Sequence, residues 1–387
     1  MKLLEDAGNC CGCGTCRNAC PRDCISMQLD AEGFLYPMIE QQLCIECGRC
    51  LDVCPANRED LPQKPQRCDV YAAWNKDSKV RQESSSGGVF TALATHVLQN
   101  NGVVFGASFD KNNNLTHCMV ENGEGLAGLR GSKYIQSDML LQFREAKRQL
   151  DWGKPVLFCG TPCQVAGLKT YLGADCERLY LCDFVCHGVP STKVFQRYCE
   201  HIKENSDIIS LYFRDKKTGW KRFGMHMEFN GRPSYCSDLK HDPFLVGFLS
   251  NLFLRPSCHR CRYTTAYRGS DITLGDFWGI GSKAPRLDDD RGTSLVIINT
   301  EKGKEIFNRC KEDLVYHESD LELAIDGNAC LARHAQPSPL REQFFKDLDK
   351  MAFGDLAKTY LQPPSESSLL LRALSKTKSH LRRLIGR

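Results

Sequence analysis

The sequence predicts a mixed α/β (α+β) protein in which a small cysteine-rich module precedes a larger body. Two observations carry this. Ten of the 23 cysteines lie between Cys10 and Cys54, in two runs of the same spacing, and the stretch 71–331 alternates strand-like with helix-like apolar patterns. With 387 residues there is room for two or three domains. No apolar run approaches the ~18 residues of a membrane span. The start, MKLLEDAGNCCGCG, has no signal-peptide core, so a cytoplasmic location is expected. In a long chain without a leader, such cysteine density points to metal or redox chemistry rather than to a disulfide scaffold.

In order along the chain, residues 1–58 form the module. Residues 59–69 (EDLPQKPQRCD), polar and proline-bearing, read as a linker. Residues 70–332 form the body, divided into an N-terminal part (70–150) and a C-terminal part (151–332). Strands are expected at 102–105 (GVVF) and 155–158 (PVLF), and an antiparallel pair at 208–214 and 224–230. Helices are expected at 89–99, 139–150 and 192–203. Residues 333–387 read as a helical C-terminal extension, with Pro363 and Pro364 as a breaker before a final helix at 368–385. The segment 367–387 holds six of the 51 basic residues and no acid. The remaining 45 basic residues face 47 acidic ones, a net of −2. The body is therefore no nucleic-acid-binding surface. The tail, with Leu370, Leu371 and Leu374 beside Arg372, Lys376 and Lys378, has the make-up of a peripheral membrane contact.

The first cysteine run is Cys10-x2-Cys13-x2-Cys16-x3-Cys20-Pro21, and the second is Cys44-x2-Cys47-x2-Cys50-x3-Cys54-Pro55. This is the spacing of a bacterial ferredoxin with two [4Fe–4S] clusters. Three thiolates on one tight loop reach three irons of a cubane, and the fourth cysteine, followed by proline, ligates the other cluster. Cys10, Cys13, Cys16 and Cys54 are thus expected to hold one cluster, and Cys44, Cys47, Cys50 and Cys20 the second. Gly12, Gly14 and Gly48 let backbone amides approach the sulfurs. Zinc does not explain a doubled four-cysteine run with trailing prolines. Cys11 and Cys24 are surplus to the pattern and read as spare thiols.

Further cysteines stand in pairs: Cys159 and Cys163 in CGTPCQVAGLK, Cys182 and Cys186 in CDFVCHGVPS, and Cys258 and Cys261 in CHRC. Cys163, Cys186, Cys258 and Cys261 are the preferred ligands of a third cluster. Structural zinc, with His187 as a further ligand, is the alternative. Cys68, Cys118, Cys176, Cys199, Cys236, Cys310 and Cys330 have no partner spacing and are expected in the core.

Clusters carry single electrons, and most two-electron chemistry needs an organic partner such as a flavin. Nothing in the chain reads as a Rossmann dinucleotide site, and there is no P-loop. An anion site is offered instead by 84–88 (SSSGG), which opens an apolar helix pattern, and by 130–137 (RGSKYIQS). His117, His187 and Asp276 are candidate proton donors. His117 also reads as an ordinary strand histidine, and Asp276 as the end of a strand.

The stretches SSSGGVFTALATHVL, RGSKYIQS, CGTPCQVAGLK, CDFVCHGVPS, FRDKKTGW, CHRC and SDITLGDFWG together resemble the coenzyme F420 hydrogenase/dehydrogenase beta-subunit family over roughly residues 71–281. The resemblance implies an FAD-binding body that carries its own [4Fe–4S] cluster behind the ferredoxin module. It implies Ser86, Gly87, Gly88, Ser132, Lys133, Tyr134, Gln136 and Ser137 as FAD contacts. It also implies exchange of electrons between an organic substrate and a ferredoxin or another one-electron carrier. The FRDKKTGW and CHGVPS forms look most like bacterial members associated with surface-polysaccharide gene sets, which leaves coenzyme F420 in doubt as the substrate. The alternative reading is an electron-transfer subunit that feeds a partner enzyme and has no substrate pocket. A third is a zinc-stabilised binding protein.

Overall fold

A computed structural model describes residues 4, 6–58, 68–111 and 113–363. The polar stretch 59–67 and the basic tail, with its expected helix and membrane contact, lie outside the described residues.

In the module, strands β1 (Ile25–Leu29) and β2 (Leu35–Ile39) pair antiparallel between the two cysteine runs. The repeat is visible in the backbone. Gly14 and Gly48 both adopt the left-handed conformation and open the short helices Thr15–Ala19 and Arg49–Asp52. The amide two residues after the first cysteine donates to its sulfur in each run, Gly12 to Cys10 and Glu46 to Cys44, both at 3.4 Å.

The body is built on one mixed sheet. Its strands are β3 (Asp69–Asn75), β4 (Val103–Phe109), β5 (Leu115–Val120), β6 (Val156–Gly160), β7 (Leu179–Phe184), β11 (Ile272–Asp276), β12 (Ser294–Ile298) and β13 (Leu314–Ser319). Their spatial order is β13-β3-β12-β11-β7-β6-β4-β5, so residues on both sides of position 150 interleave in one sheet. The centre, β11-β7-β6-β4, is parallel. Side chains alternate between the two faces, as the pleat requires. On β12, Val296 and Ile298 join one buried cluster with the helix Val89–Gln99, while Leu295 and Ile297 join another with Phe277 and Leu323.

A second, three-stranded antiparallel sheet runs β10-β9-β8, from β8 (Ile208–Asp215), β9 (Gly224–Phe229) and β10 (Arg232–Asp238). It covers an aromatic core together with the helices Thr192–Lys203 and Pro243–Leu249. Phe344, Leu348, Phe353 and Leu356, from the helices Arg341–Leu348 and Phe353–Tyr360, complete that core, so the described part of the C-terminal segment is integral to the body. The helices expected at 89–99 and 192–203 are found with those bounds, and that expected from 139 begins at Gln142. Among the described residues no helix is long and apolar enough to cross a membrane.

The module is fastened to the body by buried polar groups. Arg255, wholly buried, donates to the carbonyls of Cys10 (2.7 Å) and Leu35 (2.9 Å) and to Gln136 Oε1 (3.1 Å). Its guanidinium lies 4.2 Å from the Tyr36 ring centroid. Gln136 donates to the carbonyls of Cys11 (3.2 Å) and Gly12 (3.1 Å). Only glycine fits at position 12: φ is +68°, and a Cβ there would lie 2.3 Å from Gln136 Nε2. Gly167, on the helix Pro162–Leu172, allows an equally close approach, since a Cβ would meet Thr15 Oγ1 at 2.4 Å.

A candidate iron–sulfur relay

The first cysteine run and the end of the second converge on one cavity. Cys10, Cys13, Cys16 and Cys54 line one cavity of about 390 Å³. Cys20, Cys44, Cys47 and Cys50 line another of about 310 Å³. Cys50 and Cys11 line the first cavity as well, so Cys50 borders both cavities. The surplus Cys24 joins the second cavity, with its sulfur 3.3 Å from that of Cys20.

A third gathering of thiols forms a larger cleft, about 1250 Å³ and open to solvent. It is set by topology. Adjacent parallel strands β6 and β7 deliver the loops after them to the same sheet edge. The first loop carries Cys163, in a helix start capped reciprocally by Thr161 and Gln164, and the second carries Cys186. The 3₁₀ segment Pro256–Arg260 brings Cys258, and Cys261 ends it. All four expected ligands line the cleft, and so do Cys11 and Cys330. Cys11, expected as a spare thiol, reaches the thiols of both Cys13 and Cys163. Cys330, expected in the core, contributes to the field at Cys186 together with Cys258 and Cys261. Both placements bring together loops far apart in sequence, which the missing C-x2-C spacing had hidden. Burial pushes the Cys186 thiol up, and those of Cys54 and Cys258 up to about 11. Among the described residues, no three His, Cys, Asp or Glu side chains close on one point as a mononuclear ion requires. The thiols rim cavities, an arrangement suited to a cubane, whose ligands attach to separate irons. Cys11 and Ala56 line both the first cavity and the third cleft, so a single layer of residues separates the two.

The expected flavin contacts divide into two groups. SSSGG and RGSKYIQS do meet: the Ser132 amide donates to Ser85 Oγ at 2.6 Å, and Arg130 pairs with Glu83 at 2.5 Å. Ser86 has a buried hydroxyl without a partner, and Gly88 opens the helix Val89–Gln99 with no side-chain cap. Burial pushes the Lys133 ammonium down to about 8, and it donates to the carbonyls of Arg130 and Gly131. These groups suit an anion. Tyr134 is stacked 4.7 Å from Phe248. Gly87 has its amide on Ser294 Oγ at 2.9 Å. Gln136 and Ser137 have other partners. Gln136 spends its amide group on the module, and Ser137 bonds His117 Nδ1 (2.8 Å) and Gln164 Nε2 (3.0 Å).

The candidate proton donors fare similarly. His117 is buried, with Nδ1 on Ser137 and Nε2 on the Cys159 carbonyl at 3.1 Å, which leaves neither nitrogen for a substrate. Asp276 is bound by Arg214 and by Trp220 Nε1 (2.9 Å), and serves as a structural counter-ion. His187 alone faces a cavity. It lines the third cleft, with Nδ1 3.6 Å from Cys330 Sγ.

A pH dependence follows from His117. Burial pushes its pKa down from 6.5 to about 4. A depressed folded-state value means that the neutral ring's contribution is complete above pH ~6.5 and is lost as the pH falls through about 4, an acid penalty of ~3 kcal/mol. Denaturant midpoints measured between pH 7 and 4 should fall more steeply for the parent than for His117→Gln. Parallel curves would show that the ring is protonated in the fold.

Comparison with known proteins decides the family. The description "Coenzyme F420 hydrogenase/dehydrogenase, beta subunit" matches twice, for its N-terminal part over residues 70–143 and for its C-terminal part over residues 153–323. The chain belongs to the coenzyme F420 hydrogenase/dehydrogenase beta-subunit family. In front of this beta-subunit body, residues 9–58 match a 4Fe-4S dicluster domain. The coenzyme F420-dependent sulfite reductase of Methanocaldococcus jannaschii is 29% identical over 324 residues, which cover 80% of this chain and 47% of that protein. The chain thus spans about half the length of this curated relative. A solved structure of the F420-reducing [NiFe] hydrogenase complex from Methanosarcina barkeri aligns with TM-score 0.46 and 19% identity, over 77% of this chain and 92% of that one. The protein is an iron–sulfur member of an oxidoreductase family.

Proposed function

We propose that this beta-subunit-like chain is an iron–sulfur flavoprotein oxidoreductase. It takes electrons singly from a ferredoxin-type carrier and delivers them in pairs to an organic substrate, or runs in reverse. The observation that carries the reading is the succession of three thiol-lined cavities, the first and third sharing Cys11 and Ala56 as a common wall. Cys10, Cys13, Cys16 and Cys54 hold the first cluster, and Cys20, Cys44, Cys47 and Cys50 the second. Cys186, Cys258 and Cys261 hold the third, with Cys163 or Cys330 as the fourth ligand. FAD supplies the one-to-two-electron conversion when bound. Ser86, Gly88, Ser132, Lys133 and Tyr134 are the residues that would hold it. Their support is the family, the unpartnered Ser86 hydroxyl and the half-buried ammonium of Lys133. A place in surface-polysaccharide metabolism rests on the motif forms alone.

The second reading is an electron-transfer subunit that hands electrons to a partner enzyme. The relative of about twice the length favours it, since this chain aligns with only part of that protein. Anaerobic reconstitution with iron, sulfide and flavin counts tests the primary reading. About 12 irons and one flavin per chain are expected. A chain that holds its iron but binds no flavin is the electron-transfer subunit, and zinc with little iron or sulfide would reject both readings.

A further inference from the structure

Four arginines are buried among the described residues: Arg81 (4% exposed), Arg214 (9%), Arg255 (0%) and Arg268 (8%). A buried guanidinium needs a counter-charge, because desolvation penalises an isolated cation heavily. Arg81 has Asp289, with both carboxylate oxygens engaged, and Arg214 has Asp276. Arg255 and Arg268 form no ion pair with any described carboxylate. Arg255 is satisfied by two carbonyls and an amide. Arg268 donates to the Tyr263 carbonyl at 3.0 Å, and its Nε is buried without a partner. Asp183 feels the field of Arg268, but it is engaged by Thr273 and forms no ion pair with the arginine.

These two arginines stand where thiols gather. Arg255 binds the carbonyl of Cys10, a proposed first-cluster ligand, and its own carbonyl accepts from the amide of Cys258, a proposed third-cluster ligand. Its charge reaches both thiols. Arg268 lines the third cleft, and its charge reaches Cys330. Among the described residues, no carboxylate lines that cleft. The outer cavity, around Cys20, Cys44, Cys47 and Cys50, has Arg22 as its only basic lining residue among those described. Arg22 is exposed, so solvent and salt screen it.

We propose that Arg255 and Arg268 are built-in counter-charges of the two inner clusters, placed to raise their reduction potentials above that of the outer cluster. The inference rests on the three-cluster reading. A 4Fe–4S core with four thiolates is anionic in both redox states and becomes more so on reduction. A fixed, desolvated positive charge therefore stabilises the reduced state most. With the clusters bound, an electron from the one-electron carrier would reduce the outer cluster and then pass to an inner one, leaving the outer oxidised again, with no bond made or broken. The charges set the downhill direction inward.

The test is a potentiometric titration followed by electron paramagnetic resonance on anaerobically reconstituted full-length protein. Arg255→Met should shift both inner potentials negative and leave the outer one unmoved. Arg255→Lys, which keeps the charge, should retain most of the parent's values. Arg268→Gln should shift the third cluster alone. Iron near 12 per chain with all potentials unmoved, or with all three shifted equally, overturns the proposal. If Arg255→Met loses iron because the arginine also ties module to body, the Arg268→Gln titration decides: a selective shift sustains the proposal and no shift overturns it. Parent protein that never reaches that iron content is a different failure, that of the three-cluster reading itself.

Discussion

Anaerobically reconstituted protein carrying Cys258→Ser is expected to hold about 8 irons per chain where the parent holds about 12, with the front clusters unchanged. Cys258 is held at both its sulfur and its amide. Its sulfur accepts from the Val189 amide at 3.3 Å, and its amide is held by the Arg255 carbonyl at 2.9 Å. Serine leaves the backbone in place and removes the soft ligand on which the cubane depends. The same count on Cys163→Ser and Cys330→Ser settles the fourth ligand: the ligand loses the cluster, and the bystander keeps it. Iron that stays near 12 in Cys258→Ser would remove the third cluster from the cleft.

The second large effect is expected at Asn18, which is 2% exposed and latches module to body. Its amide donates to the carbonyls of Gly14 and Leu140, both at 2.9 Å. Its oxygen accepts from the amides of Phe143 (3.2 Å) and Arg144 (3.3 Å), at the start of the helix Gln142–Asp151. Asn18→Ala strips all four bonds from a buried site and uncaps that helix. The expected cost is ~2–4 kcal/mol to the docking of the module. Hydrogen exchange is the readout. Amides of residues 13–20 and 142–146 should exchange faster together, while those of β12 keep their protection. Unchanged exchange at both segments would mean that the module is held without this latch.

What could be read from the sequence was whatever is local. The two cysteine runs bring their chemistry within a few residues, so the eight front thiols gather at two neighbouring cavities, with Cys50 bordering both. Helices with clear apolar periodicity, such as Val89–Gln99, were equally visible. Tertiary juxtaposition was not. Gln136 and Arg255 are 119 residues apart in sequence and meet over the Cys10 loop, so a residue expected to touch FAD turns out to join two modules. Cys330 has no pattern around it and reaches the third cleft only because the chain returns there after β13. Ser137 and His117 satisfy each other inside the fold, which removes both from any list of free polar groups. A signal was available at Cys11. The surplus cysteine beside Cys10 lines both the first cavity and the third cleft.

The most direct test is low-temperature electron paramagnetic resonance of the fully reduced, reconstituted chain, with spins counted and line shapes analysed. Three clusters in one relay predict about three spins per chain with lines broadened and split by mutual magnetic coupling. About two spins, or three sharp signals that superimpose as independent clusters, would contradict a relay that runs from the front module into the body.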